Sequence, residues 1–463
     1  MNIPTNIFKS YDIRAIYPSE INEESAAIIV NAIHAFFKEN FPEKNKLSIV
    51  IGHDMRISSP SLHKVIVDTL VNGGAQVIDV GLISTPSFYF SVFHYDYDCG
   101  IQISASHNPK EYNGLKIVRN SHNGLVKIGK TTGMEDIKRM SLEGIGVTSR
   151  EKGTVEKKDG ILKDEIQSAM DLLGKNPKFN KYKIVADTAN AMGAQYIEAL
   201  FEMIPADLVK MNFELDGTFP NHAPDPLDFN NLRDLQAKVL SEKADFGLAP
   251  DGDGDRLFFV DEKGQILPAT LITGLVAQEL LKVNPGATIL YDIRYVLTPR
   301  KIIEEMGGKS EITKVGHAFI TEKMYETGAI FGGESSAHYF YKSNGNAESQ
   351  LITIMLILKL MSDTGKALSE LATSVRRSFE SGEFNFKVTN ASEILIALKE
   401  KYKDGELSEL DGVAITYPDF RFSVRTSNTE PLLRLNLEST DETVTKRKFD
   451  EIKSFIEQMA KSE

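Results

Sequence analysis

Near the middle of the chain, Asp251-Gly252-Asp253-Gly254-Asp255-Arg256 alternates three carboxylates with two glycines and runs straight into the apolar stretch Leu257-Phe258-Phe259-Val260. That stretch reads as a buried strand, so the aspartates must lie on the tight loop that feeds it. Carboxylates this close repel one another unless a divalent cation or a set of donors compensates them, and hard oxygen ligands suit Mg²⁺. A calcium loop of the EF-hand kind fits less well. Glu262 does fall at the twelfth position counted from Asp251, but the sixth, where a sharp turn needs glycine, is Arg256, and the following residues are strand-like rather than polar. An Asp-Gly turn that binds nothing is the remaining alternative.

The chain has 463 residues, too many for one hydrophobic core, and at roughly 100–200 residues per domain it predicts three or four domains. Met1 to Ser10 lacks the apolar centre of a signal peptide. The longest apolar stretch, Leu351 to Leu358, ends at Lys359, well short of the ~18 residues of a membrane span, and reads as a buried helix. A single cysteine, Cys99, can form no disulfide within the chain, which points to a reducing cytoplasm. A formal charge of −12 argues against nucleic acid and against anionic membranes as partners. It leaves small phosphorylated ligands open, because a local lining of Arg and Lys can hold an anion on an acidic protein.

Strand-like runs alternate with helical patterns over most of the length, which predicts an α/β fold of three similar mixed α/β domains followed by a C-terminal α+β domain. The expected boundaries are 1–152, 153–254, 255–370 and 371–463. Strands are expected at Leu47–Ile51, Ala75–Val80, Cys99–Ser104, Lys183–Asp187, Ala244–Ala249, Ala287–Tyr291, Glu311–Lys314 and Ala329–Phe331. The charged stretch from Leu142 to Gly160 reads as a connection. After about Thr364, helices near Ala391–Lys401 and Val444–Met459 flank strands at Val413–Thr416, Phe420–Arg425 and Leu432–Glu438.

Several loops carry chemistry. Ser104-Ala105-Ser106-His107-Asn108-Pro109 follows a strand, where an α/β protein places a nucleophile or phosphate carrier, with Asn113-Gly114-Leu115-Lys116 just beyond. A Ser-His-Asp triad fits poorly: adjacent residues of an extended chain point opposite ways, and no Gly-x-Ser-x-Gly elbow is present. An Asn-Pro turn with a capping serine explains the same residues. Gly333-Glu334-Ser335-Ser336-Ala337-His338 offers a carboxylate, hydroxyls and an imidazole suited to sugar hydroxyls, though a capped helix start fits too. Arg425-Thr426-Ser427-Asn428-Thr429-Glu430-Pro431, with Arg434 beyond, is dense in donors and reads as a phosphate cradle or a polar hairpin. Tyr11-Asp12-Ile13-Arg14 can present Arg14 to a phosphate or to a surface ion pair, and His317 closes a strand as an acid/base or a structural imidazole.

Taken in order, Ser106 to Pro109, Asp251 to Arg256, Gly333-Glu334-x-Ser336 and Arg425-x-Ser427-Asn428-Thr429-Glu430-Pro431 resemble the four signature loops of the α-D-phosphohexomutase family. The likeness spans essentially the whole chain and is closest to the phosphomannomutase and mixed phosphomannomutase/phosphoglucomutase branch. It implies four domains that each send one loop to a central cleft. It further implies that Ser106 carries a phosphoryl group and that Ser106, Asp251, Asp253 and Asp255 hold Mg²⁺. His107, Lys116, Arg256 and His317 would supply acid/base and charge-stabilising groups. Tyr11, Arg14, Arg294, Glu334, Ser336, His338, Arg425, Ser427, Asn428, Thr429 and Arg434 would hold the substrate. The implied substrates are hexose phosphates, with a hexose 1,6-bisphosphate as activator and the protein a monomer or dimer.

Departures bear on the substrate. Ser427-Asn428-Thr429 in place of Ser-Gly-Thr argues against the phosphoglucosamine mutases, and Ala15 replaces the glycine that usually follows Tyr-Asp-Ile-Arg. Arg294 stands where several relatives have a lysine; a guanidinium does not give up its proton, so it should stabilise charge rather than act as a base. A metal-assisted sugar phosphatase, with water as acceptor, is the rival from another enzyme class. A sugar-phosphate sensor is disfavoured because it would need none of the phosphoryl-transfer parts together.

Overall fold

The computed structural model describes residues 3–121, 123–174, 177–426 and 432–460. Two compact units emerge: unit 1 comprises Met1–Leu267 with His338–Ser369, and unit 2 comprises Pro268–Ala337 with Glu370–Glu463.

In unit 1 the first sheet runs Ile13–Ile16, Tyr112–Asn120, Cys99–Ile103, Ser48–His53, Gln76–Leu82, Thr154–Lys157, with Leu125–Lys127 paired to Tyr112–Asn120. Its central strands Cys99–Ile103, Ser48–His53 and Gln76–Leu82 are parallel, with the first two buried along most of their length, as expected for a sheet covered on both faces. One face packs on the helices Glu23–Asn40 and Ser59–Asn72 through Ile29, Ile33, Leu62 and Ile66, the other on Thr85–His94 through Phe88 and Val92. The second sheet runs Ile266–Leu267, Leu257–Asp261, Phe246–Pro250, Tyr182–Asp187, Ala206–Met211, again parallel at its centre. The parallel arrangement sends the loops after Ile103 and His53 out of the same edge of the first sheet, and the loop after Pro250 out of the second, where α/β proteins bind ligands.

The stretch from Leu142 to Gly160 is more than the expected connection. Thr154–Lys157 pairs in parallel with Gln76–Leu82 as an edge strand whose four residues are all exposed. Such a strand buries no face, so it carries no hydrophobic period to read, and charge along an edge deters pairing with other chains. The apolar run Leu351–Leu358 lies in the buried helix Gln350–Thr364, and no described helix is long and apolar enough to cross a membrane.

Unit 2 holds a parallel set, Lys309–Thr313 beside Thr288–Asp292 beside Phe331–Gly333. It also holds an antiparallel sheet in the order Phe379–Glu380, Leu432–Ser439, Phe420–Thr426, Val413–Thr416, Glu406–Ser408, with Phe384–Lys387 paired to Leu432–Ser439. Helices Ala391–Lys401 and Glu442–Ala460 cover that sheet through Ile394, Leu398, Ile452 and Ile456, packed on Phe422, Val424 and Leu435. The fold is therefore α/β with mixed sheets and an α+β C-terminal part.

Candidate active site

Two loops of unit 1 meet at Ser106. The first leaves the strand Cys99–Ile103, and the second is the aspartate loop between Phe246–Pro250 and Leu257–Asp261. Ser106 is 1% exposed and takes a left-handed backbone, φ 50°, with its N–H donating to Ser104 Oγ at 3.0 Å. In this conformation its hydroxyl donates to Asp251 Oδ2 at 3.0 Å and also lies 3.2 Å from His107 Nδ1. Extended geometry would have kept hydroxyl and imidazole apart. The left-handed turn overturns that expectation by folding the two neighbours onto one side.

Asp251, Asp253 and Asp255 are buried, and each offers a carboxylate oxygen within 4.8 Å of the others. Asp251 Oδ1 is tied to the N–H groups of Gly254 and Arg256, both at 3.1 Å, which closes the loop into a turn where Gly254 supplies φ 78°. Gly252 permits the closest approach of the two loops: a Cβ there would sit 2.3 Å from the Ser106 carbonyl oxygen. Lys116, on Tyr112–Asn120, donates to Asp255 Oδ2 at 3.0 Å and lies 3.5 Å from Asp253 Oδ2. His338 Nε2 lies 3.1 Å from Asp255 Oδ1 and 3.2 Å from Arg256 Nε. Arg14 pairs with Asp12 at 2.9 Å and also donates to Asn108, placing it at the serine loop, while Tyr11 is half-buried in the turn before it.

The electrostatics follow from burial and crowding. Burial, then repulsion from Asp255 and Asp253, pushes Asp251 well above the usual carboxylate range. Burial acts the same way on Asp255, but Lys116 and His338 overcome it and hold that carboxyl well below the usual range. Lys116 is pulled down by burial and more than restored by Asp253 and Asp255, so it stays cationic. Burial, then Arg256 and Arg14, pushes the His107 imidazole well below its usual value and leaves it neutral at pH 7. Among the described residues, Asp253 Oδ1 and Arg256 Nη1 are buried without a hydrogen-bond partner. Three converging carboxylates, one with a bare oxygen, fit the donor set a hard divalent cation requires.

Four residues that brace this site carry no local signal in the sequence. Thr85, the first residue of the helix Thr85–His94, donates its hydroxyl to Asp253 Oδ2 at 2.6 Å and its N–H to the Asp253 carbonyl at 2.9 Å. Gln350 Nε2 donates to the Asp255 carbonyl at 2.5 Å. Lys127 lies against both oxygens of Glu348 at 2.5 Å, between the rings of Tyr89 and Phe340 at 4.7 and 4.9 Å. These partners are 95 to 221 residues apart in the chain, so no short stretch of sequence shows them together.

In unit 2, Arg294 forms a fork with Asp292 at 2.8 and 3.0 Å and donates to Ser336 Oγ at 3.2 Å. Asp292 also accepts the Ser335 N–H at 2.6 Å, so one carboxylate shapes the loop that carries Glu334 and Ser336. Glu334 accepts the Gly316 N–H at 2.8 Å, next to His317, which opens the helix His317–Thr327. No helix starts at Glu334: the loop turns, with Ala337 at φ 66°, and leads into the strand Tyr339–Tyr341. That corrects the capped-helix alternative. The boundary between the compact units falls between Ala337 and His338, so the motif divides, with His338 joining the aspartates. Arg425 and Arg434 converge on Glu383 at 3.2 and 2.9 Å. Ser427, Asn428 and Thr429 lie outside the described residues.

An acidic triad, a buried hydroxyl and a captive ammonium are parts that phosphoryl transfer can use. Family models agree along the chain: phosphoglucomutase/phosphomannomutase alpha/beta/alpha domain I matches residues 5–137, domain II 164–264, domain III 270–379 and the C-terminal domain 383–454. The phosphomannomutase of Methanocaldococcus jannaschii is 37% identical over 451 residues, covering 97% of each chain, and a phosphomannomutase of Escherichia coli is 35% identical over 446 residues, covering 94% of this chain and 95% of its own. A crystal structure of a phosphoglucomutase/phosphomannomutase family protein from Burkholderia thailandensis superposes with a TM-score of 0.88 at 29% identity, covering 100% of this chain and 99% of that one. The chain belongs to the phosphoglucomutase/phosphomannomutase family, and its four-domain α/β architecture is the family's. It is a phosphohexomutase, an intramolecular phosphotransferase of the isomerase class.

Proposed function

We propose that this protein interconverts mannose 1-phosphate and mannose 6-phosphate, and accepts the glucose phosphates, through a phosphorylated Ser106 and a hexose 1,6-bisphosphate. The observation that carries the reading is the Ser106 hydroxyl 3.0 Å from Asp251, in a buried triad beside Lys116. The assignment to mannose is supported by the phosphomannomutase relatives and by the loop Glu334-Ser335-Ser336-Ala337-His338-Tyr339.

In the forward step a sugar hydroxyl oxygen bonds to phosphorus as the P–Oγ bond of phosphoserine breaks. The hydroxyl loses its proton and the serine oxygen gains one. The return step reverses both, with the sugar's other phosphate passing to Ser106. His107, neutral and 3.2 Å from Ser106 Oγ, is able to accept or return a proton at that oxygen. Lys116 stays charged and so offsets the charge of the moving phosphoryl group rather than taking a proton. Asp251, Asp253 and Asp255, with the oxygen of Ser106, would hold Mg²⁺, which neutralises phosphoryl charge when bound. Glu334 and Ser336 read sugar hydroxyls, Arg294 stabilises charge beside them, and Arg425, Arg434 and the loop 427–429 take the phosphate that is not being transferred.

The decisive experiment is product analysis with mannose 1-phosphate, Mg²⁺ and a trace of hexose 1,6-bisphosphate. Mannose 6-phosphate is expected; free mannose with inorganic phosphate would make the protein a phosphatase. Ser106→Ala should abolish turnover while sparing ligand binding. Glucosamine 1-phosphate showing the highest kcat/KM would overturn the substrate assignment.

A further inference from the structure

We infer that Arg56 is a positioning residue for phosphoryl transfer, holding the serine loop in its left-handed turn by directing both terminal nitrogens of its guanidinium at that loop's carbonyls; this rests on Ser106 being the phosphoryl carrier. Arg56 lies just past the strand Ser48–His53, the parallel neighbour of Cys99–Ile103, so its loop and the serine loop leave the same sheet edge. Its side chain is fully buried. Nη1 donates to the carbonyls of Pro109 at 2.8 Å and Tyr112 at 2.9 Å, and Nη2 to those of Ser106 at 2.8 Å and Asn108 at 2.7 Å. Nε donates to Asp54 Oδ2 at 3.2 Å. A guanidinium has five N–H groups, and all five are used.

Four carbonyl dipoles of one short loop thus point at a single buried cation. Without it they would repel one another, and the buried Ser106 carbonyl would lose this partner, while that of Pro109 keeps the Tyr112 N–H at 3.0 Å. Asp54 balances the charge and is itself fixed by the Arg56 N–H at 3.0 Å and Ser59 Oγ at 2.6 Å. The Phe219 ring covers the guanidinium, 5.3 Å from Cζ, and Gly217 lies so close that a Cβ would come within 2.7 Å of Arg56 Cα. The Ser106 carbonyl is held between Arg56 and Gly252. Arg56 therefore fixes both the left-handed φ of Ser106 and the distance of its hydroxyl from Asp251. Lysine, with three donors at one point, has no fork with which to serve four carbonyls.

The test is Arg56→Lys in the full-length protein with Mg²⁺, assayed beside Ser106→Ala. Displacing a reacting group by about 1 Å costs on the order of 100-fold, so kcat should fall about 100-fold while KM for mannose 1-phosphate stays within about threefold. The ³¹P resonance of phosphoserine 106, loaded from a hexose 1,6-bisphosphate, should shift from its wild-type position. A merely structural role would reduce the yield of folded protein but leave kcat per phosphorylated enzyme and that resonance unchanged, and such a result would overturn the inference. Should Arg56→Lys not fold, Phe219→Leu decides: a kcat loss of about fivefold at unchanged KM with a displaced resonance supports the role, and wild-type values for both refute it. An active Ser106→Ala would instead sink the carrier-serine reading itself, whereas an active Arg56→Lys beside a dead Ser106→Ala sinks only the role of Arg56.

Discussion

Removing Lys116 alone tests how the aspartate loop is held together. Its ammonium is 3% exposed and lies 3.0 Å from Asp255 and 3.5 Å from Asp253. At an effective dielectric constant of about 20, each contact carries roughly 5 kcal/mol of attraction, much of it offset by the cost of taking the ions out of water. Lys116→Met deletes the attraction and leaves the aspartates' desolvation in place, a net loss of about 3–5 kcal/mol. Thermal unfolding without metal should then show a melting temperature lower by roughly 5–15 °C. Saturating Mg²⁺ should recover most of that loss in the variant and add less to wild type, because the metal and the ammonium compensate the same carboxylates. Turnover should stay at least about 100-fold down even with Mg²⁺, since a fixed cation beside the transferring group is gone. The sign with pH also follows. Lys116 is held above its usual range, so its contribution is present at all pH values below its unfolded pKa, and Asp255 is held below its range, so its contribution is lost only in acid. The stabilisation that the Lys116–Asp255 pair gives wild type should therefore be flat from about pH 6 to 9. Equal destabilisation with and without Mg²⁺, or no more loss than at an exposed lysine such as Lys64, would refute the reasoning.

Two other substitutions have distinct readouts. Gly252→Ala puts a methyl 2.3 Å from the Ser106 carbonyl oxygen, a backbone atom that cannot swing away, so the two loops must separate and kcat should drop by about 100-fold; wild-type kcat would show that the loops need not touch. Glu165, buried in the helix Ile161–Leu172, is pushed up to about 7 by burial, only partly relieved by Ser87. Its folded value exceeds the unfolded one, so stability is full below the unfolded pKa and is lost as pH climbs towards 7. Glu165→Gln should therefore gain on wild type by up to roughly 3 kcal/mol between pH 5 and 8, and a pH-independent difference in melting would count against it.

Most of the architecture was legible because buried parallel strands such as Ser48–His53 and Phe246–Pro250 must be apolar on both faces, and because loops at their carboxyl ends must be polar. Helix Ala391–Lys401 and strand Val413–Thr416 match the expected residues at both ends. Thr154–Lys157 escaped because hydrogen bonds to one neighbour, not a buried face, make it a strand. At the site, groups that act through their own motif were visible: Ser106, the aspartates, Lys116. Arg56, Thr85, Gln350 and the Lys127–Glu348 pair were not, since each works by meeting a partner far away in sequence, and nothing in a short window distinguishes a guanidinium that will be buried from one that will be solvated. The Ser106–His107 contact was hidden for another reason: a positive φ at a residue other than glycine cannot be read from its neighbours.

The polypeptide quits unit 1 after Leu267 and rejoins it at His338, bringing back His338, Glu348 and Gln350. Any fragment stopping at Leu267 would strand Lys127 as a lone charge in an apolar interior and strip Asp255 of its imidazole neighbour. A crossover between genes that trades only contiguous stretches thus inherits half a reaction centre. Chimaeras of this protein should be spliced by swapping both flanks of the insertion at once, with the excursion between them treated as cargo.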